Sequence, residues 1–388
     1  MQYRDRKTQE ILGDISDDPL YDDIFCGQEF LDMAAKLKLT EDDTTVMFSL
    51  DGAQLYQNKK SDTWMAIYIV ANYDPNTRYK KKHVLPALII PGPNKPKSLE
   101  SFLHRGFHHL SAIQRENEGA GLRVWDYCKK RVITTRVIHL MSLADALGLT
   151  ELDGRVGHHG CKGCRLGCKM KGRHKPSSGH YYSVHLRPNG VNARDCNHPD
   201  FDFRAPEGIK RESKDDYQAN LKRIIESGDQ KTYENNRKMT GISKPSLVSG
   251  LLYTIPIPMC FTVDLMHLLF LNIGDLLIPL WRGTAKCEPT DKKESWDWAK
   301  LTGDTWLAHG KLVANLTQYF PSSFHRPPRN PAEKINSGYK ATEYALYIYG
   351  LGPSVFRAVL PKKYWKNVCK LVHGARIILQ RRIRQSQL

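Results

Sequence analysis

Long apolar runs are missing from this chain of 388 residues. The nearest, Leu265 to Trp281, is interrupted by His267, Asn272, Asp275 and Pro279 and falls short of the roughly 20 apolar residues a membrane-spanning helix needs. The sequence therefore excludes an integral membrane protein. The first twenty residues lack the apolar core of a signal peptide, so the chain is expected not to be exported. Internal repeats and long low-complexity tracts are also lacking. Acidic residues are scarce beyond the first fifty positions: residues 1–50 hold 12 Asp/Glu against 5 Lys/Arg, and residues 51–388 hold 29 against 53. The nine cysteines form no evenly paired framework, and Cys26, Cys128, Cys196, Cys260, Cys287 and Cys369 are scattered singly, which reads as reduced, mostly core thiols.

The residues that are present belong to a folding composition. Apolar residues make up 40% and charged residues 26%, with a mean hydropathy of −0.51, enough to bury a core over two or three domains. The net charge of +17, set behind an acidic leader, favours a polyanionic partner, of which nucleic acid is the commonest. A well-solvated basic surface is the plainer alternative.

After the leader (1–43), where Leu31, Ala34, Ala35 and Leu37 suit a short helix, three apolar runs arrive in succession: Val46–Leu50, Trp64–Val70 and Val84–Ile90. Their short connections predict an antiparallel meander, with the Pro86 strand at a sheet edge because proline cannot donate to a ladder. Ser98 then caps a helix with Leu99, Phe102, Leu103, Phe107, Leu110 and Ile113 on one face, and a fourth strand is expected over Arg131–Met141. A right-handed crossover over that helix places the fourth strand beside the first in one mixed sheet. These elements form a segment 44–150. Residues 151–215 are rich in Gly, His, Cys, Lys and Pro and need something other than a hydrophobic core to hold them. Residues 216–335 read as mostly helical, including a buried helix over 261–281 and a rigid connection Pro321–Pro331, and further helices close 336–388.

Two constellations carry chemistry. Asp51 ends the first strand and Asp145 follows the fourth, so adjacent strands bring two carboxylates to one sheet edge. Such a pair repels itself unless a cation intervenes, and hard oxygen donors suit two Mg²⁺ or Mn²⁺ ions, with a third carboxylate from a helix completing the site. The bland reading makes Asp51-Gly52 a turn and Asp145 a helix cap. The second constellation is His158, His159, Cys161, Cys164, Cys168, His174 and His180, whose spacing suits a structural Zn²⁺; Cys164, Cys168, His174 and His180 are the preferred ligands and Cys161 competes. Reduced cysteines in a basic loop are the alternative. Asp264 and His267, at i and i+3, share a helix face and either approach the carboxylate site or contain a satisfied core histidine. Arg78, Lys80, Lys81, Lys82, Lys95 and Lys97 beside the second and third strands can grip phosphates without reading bases, as can Arg381, Arg382 and Arg384.

The phrases SLDGAQLYQNKKSDTW, RYKKKHVLPALIIPGPNKPKSLESFL, GRVGHHGCKGCRLGCKMKGRHK, HYYSVHLRP, LWRGT and SFHRPPRNPAEKINSGYKATEYALYIYGLGP resemble the transposase of CACTA-type (En/Spm-like) DNA transposons in its fungal form. The resemblance runs from about residue 15 to the C-terminus. It implies an RNase H-like fold with an Asp-Asp-Glu triad, nuclear action on double-stranded transposon ends and target DNA, and a homo-oligomer in the DNA-end complex. Residue by residue it implies Asp51 and Asp145 as the two aspartates and Glu343 as the helix-borne glutamate, with residues 150–335 as an insertion and His267 beside the catalytic group. The Cys-x-x-Cys and Asp-x-x-His signatures fall on Cys161/Cys164 and Asp264/His267, and Asp264 is the alternative second carboxylate. The family usually carries further sequence for terminal-repeat recognition, and this chain begins almost at the catalytic segment. The competing expectation is therefore a truncated or domesticated, non-catalytic nuclear DNA-binding protein.

Overall fold

The structure, a computed structural model, describes residues 2–54, 62–92, 94, 96–164, 167–174, 179–182, 210–287, 292–324 and 326–388. It divides into two compact units, Met1–Ile15 with Asp23–Val263 and Ser16–Asp22 with Asp264–Leu388. The acidic leader contributes to both. Its helices α1 (Tyr3–Gly13) and α2 (Gln28–Leu37) belong to the first unit, where Phe25, Phe30 and Met33 enter the core.

Strands β1 (Thr44–Gln54), β2 (Asp62–Val70) and β3 (Val84–Ile90) form the expected antiparallel meander. Pro86 lies on the edge strand beside a register shift, as a residue without an N–H requires. Helix α3 (Leu99–Arg115) follows, burying Leu99, Leu103, Phe107 and Leu110 at helical spacing. Phe107 packs on Phe48 of β1 with ring centroids 5.0 Å apart, and its truncation to Ala is worth about 3–5 kcal/mol. Phe102, expected on this face, is instead 45% exposed, because it lies to one side of the buried stripe Leu99, Leu103, Phe107, Leu110 and Gln114.

The run expected as a single fourth strand is divided. Residues Leu122–Asp126 (β4) and Arg131–Thr135 (β5) make a separate hairpin, and Val137–Ala144 (β6) joins the sheet in the order β3-β2-β1-β6. The break falls at Arg136, whose guanidinium turns to the buried carboxylate of Asp43 at 2.6 and 2.8 Å. β6 runs parallel to β1, so the fourth strand does lie beside the first. Its outer edge is covered by the segment Tyr253–Thr262, in parallel register through His139–Thr254 and Ser142–Phe261. Gln114 clamps that segment: its amide donates to the carbonyls of Val137 and Tyr253 and accepts from the N–H groups of Leu252 and Tyr253. The first unit is thus an α/β layer with a mixed sheet.

The second unit is mostly helical around Trp281, Trp306, Tyr347, Ile348 and Phe356. The helix expected over 261–281 starts later and is only partly buried. It opens with π-helical turns over Met266–Asn272, continues as α-helix over Ile273–Trp281, and leaves Leu268 and Leu276 exposed. The final helix spans Lys362–Ile378, after which Ile383–Arg384 pairs with Leu20–Tyr21. Among the described residues no helix is long and apolar enough to cross a membrane.

Candidate active site and metal centre

The register of β1 and β6 brings two of the expected carboxylates together. The last paired couple is Leu50 with Ala144, so Asp51 is the next residue of β1 and Asp145 the first residue past the end of the adjacent parallel β6. Asp51 is not in a turn: β1 continues to Gln54, with Asp51 opposite Met65 of β2 and Gly52 opposite Trp64. Its position is exposed at the sheet rim. Asp145 is a helix cap, as the bland reading held, accepting the Gly148 N–H at 2.6 Å ahead of helix α4 (Ala146–Asp153). One capping bond leaves a carboxylate with further acceptor sites, so capping and cation binding are compatible. The donor chemistry suits a hard divalent ion, of whose shell two carboxylates would supply only part. Among the described residues no group of three or more His, Cys, Asp or Glu side chains is placed to hold a metal ion.

The other expected acids belong to the second unit. Asp264 accepts the N–H groups of Met266 and His267 through one oxygen and holds His267 Nδ1 at 2.7 Å through the other. This orients the ring with Nδ1 toward the carboxylate, so its Nε2 is the nitrogen left to accept a proton or a ligand. The imidazole is 27% exposed, so His267 is not a core histidine.

Glu343 is fully buried near the start of the short helix Ala341–Tyr344. Arg329 donates to Oε1 at 2.6 Å and to Oε2 at 2.8 Å, the backbone N–H groups of Arg329 and Lys340 add one bond each, and Arg326 lies 3.7 Å from Oε2. Burial alone raises this carboxyl's pKa. The Arg329 guanidinium and the two N–H groups outweigh it and hold the group below the usual carboxylate range. As placed, Glu343 has no oxygen turned toward a cation. The basic Pro-rich connection, expected only as a rigid link, supplies the arginines that seal it.

The Cys/His segment is ordered by local contacts. Gly154, at φ +66° and with the Lys244 carbonyl where a Cβ would sit, lets the chain turn into it, and the buried Arg155–Glu212 ion pair anchors it. Cys164 and Cys168 meet, and the Cys164 contact together with burial raises the Cys168 thiol pKa. The histidines go elsewhere: His174 packs on Tyr181 at 4.7 Å, and His180 stacks on His159, which also touches His158 at 3.9 Å. The preferred set Cys164, Cys168, His174 and His180 is therefore not gathered. Cys161 is buried, and its carbonyl accepts the Gly172 N–H.

The basic residues are divided by the sheet. Lys97 follows β3 at the end that carries Asp51, and Lys95 lies outside the described residues. Lys80, Lys81 and Lys82 are exposed at the opposite end, between β2 and β3. Arg78 is no phosphate contact. It is 1% exposed and paired with Asp23 at 3.1 Å beneath Tyr3 and Phe25. No protein-family model matches the chain, and no curated protein is significantly similar to it.

Proposed function

We propose that the chain is a transposon-derived DNA transposase of RNase H-like build that cleaves DNA ends and transfers strands with the help of divalent metal. The observation that carries the reading is the register that sets Asp51 of β1 beside Asp145, just past the end of the adjacent parallel β6. The strand order, and the parallel segment Tyr253–Thr262 beyond β6, also support it. Asp51 and Asp145 would hold Mg²⁺ or Mn²⁺, which supplies activation of the attacking oxygen and stabilisation of the leaving one. Glu343, in the second unit, is free to take a cation only after parting from Arg329. His267, fixed by Asp264, offers Nε2 as a proton acceptor. Cys164 and Cys168 would supply two ligands of a structural zinc only if two further donors closed on them, in which case elemental analysis of purified protein should find about one Zn per chain.

The sealed Glu343 favours a second reading, a non-catalytic nuclear DNA-binding derivative. A nicking assay on supercoiled plasmid separates the two. Mg²⁺-dependent nicking that disappears in Asp51→Asn supports the transposase. Plasmid binding with no nicking at any Mg²⁺ or Mn²⁺ concentration overturns it.

A further inference from the structure

The end of the sheet opposite the carboxylates collects features that the proposed chemistry does not use. Between β2 and β3, Tyr79 is 56% exposed and leads directly into Lys80, Lys81 and Lys82, all exposed. On the same end, the β4–β5 hairpin sits just ahead of β6. Thr135 Oγ1 lies 3.0 Å from Thr44 Oγ1 at the start of β1, and Ala71 bonds back to Thr45. The hairpin has two unlike faces. Leu122, Val124 and Ile133 alternate toward the interior side, while Arg123, Trp125, Val132 and Thr134 stand on the outer one. Trp125 is 62% exposed and Tyr127, two residues on, is 82% exposed.

Charge is distributed to match. Of the acids lining the cavity beside Trp125 and Tyr127, three are paired: Lys129 reaches Glu41 at 2.7 Å and Asp42 at 2.5 Å, Arg131 reaches Asp42 at 3.4 Å, and Arg136 holds Asp43; the fourth, Asp126, caps the hairpin turn. Lys80, Lys81, Lys82, Arg123 and Lys130 take part in no ion pair among the described residues. Five cross-strand pairs join the hairpin, and Asp126 accepts two N–H groups at its turn. Exposed aromatic rings on a hairpin that carries Arg123 and Lys130, at the sheet end that also carries Lys80, Lys81 and Lys82, suit an anionic chain with flat faces to stack. Every nucleobase has such a face once it leaves the duplex.

We infer that this end of the first unit binds single-stranded nucleic acid, with Trp125 and Tyr127 stacking unpaired bases and Lys80, Lys81 and Lys82 holding the backbone. The face lies roughly 25 Å from Asp51 and Asp145, the length of β6 at about 3.3 Å per residue. It shares with the proposed function only the nucleic-acid partner. The test uses the full chain, a labelled single-stranded oligo-dT and a duplex of the same length, read by fluorescence anisotropy. The double variant Trp125→Ala/Tyr127→Ala should weaken oligo-dT binding at least tenfold and duplex binding less than threefold, while Trp125→Phe keeps most of the affinity. Replacing Lys80, Lys81 and Lys82 by Ala should flatten the salt dependence of oligo-dT binding by about two units of log–log slope. Unchanged oligo-dT affinity in the aromatic double variant overturns the inference. So does a self-associating chain that the same substitutions turn monomeric, since the patch would then be a self-interface. An Asp51→Asn chain that loses nicking but still binds oligo-dT through Trp125 keeps the two readings apart.

Discussion

In the first unit Asp51 stands exposed on a sheet rim, one strand away from a second carboxylate with a single capping bond; in the second unit Glu343 is enclosed by two arginines and two backbone N–H groups. The surroundings of the two acids fit them for different work. On the proposed reading, the rim carboxylate beside a second one would take a cation. A buried one with its counter-charge in place already has what a cation would give, so recruiting it requires the arginine to leave.

The largest effects should come from catalysis. Asp51→Asn, Asp145→Asn and Glu343→Gln are each expected to lower Mg²⁺-dependent nicking at least a hundredfold, with duplex affinity kept within threefold. Full nicking in Glu343→Gln would break the comparison at its second member and leave Glu343 wholly to the scaffold. Next comes the sealing ion pair. Arg329→Met strands a buried charge and should cost about 3 kcal/mol in urea unfolding, while the pair Arg329→Met/Glu343→Leu should recover most of the loss, because the missing partner rather than the missing charge is what destabilises. An Arg329→Met protein as stable as the parent would show that Glu343 is not sealed in solution.

Acid should sharpen the contrast further. Burial pushes His139 in the first unit and His309 in the second down to about 4. The unfolded chain binds those protons more readily, so the stability each neutral ring contributes is complete above pH 6.5 and is lost as pH falls from 6.5 toward 4. Glu343 acts lower. Its folded carboxyl lies below the ordinary value, so its contribution is present above about pH 4.5 and fades only beneath it. Urea midpoints at pH 7.5, 5.5 and 4 should therefore fall first through the histidines, and Glu343→Gln should leave the drop between 7.5 and 5.5 unchanged. The smallest effect concerns the cap. Asp145→Ala should cost about 1 kcal/mol and Asp145→Asn only a few tenths, since Asn caps nearly as well. Equal stability losses in the two variants would mean that the Gly148 bond is not what positions Asp145.

Much of the first unit was legible beforehand because its signals are local. Apolar runs of strand length, Pro86 as an edge marker and the 99-103-107-110 stripe each specify an element without reference to the rest of the chain. The crossover argument then placed Asp51 and Asp145 side by side. Other features depended on distant partners. Nothing in Arg131–Met141 announces a break at Arg136, because its cause is Asp43, 93 positions earlier. Gln114 is buried on the same stripe by partners at Leu252 and Tyr253 that are equally remote.

Sequence spacing by itself determined which residue types could act: two strand-end aspartates, a Cys/His cluster and a basic body. Only tertiary structure decided their state. It turned the rings of His174 and His180 onto different aromatic neighbours, sent Lys80–Lys82 to the far end of the sheet from Asp51, sank Arg78 into an ion pair, and closed Arg329 on Glu343. The physical reason is common to all four. Reactivity of a charged or ligating side chain is set by what lies within a few ångströms of it, and those neighbours come from parts of the chain that no local pattern connects.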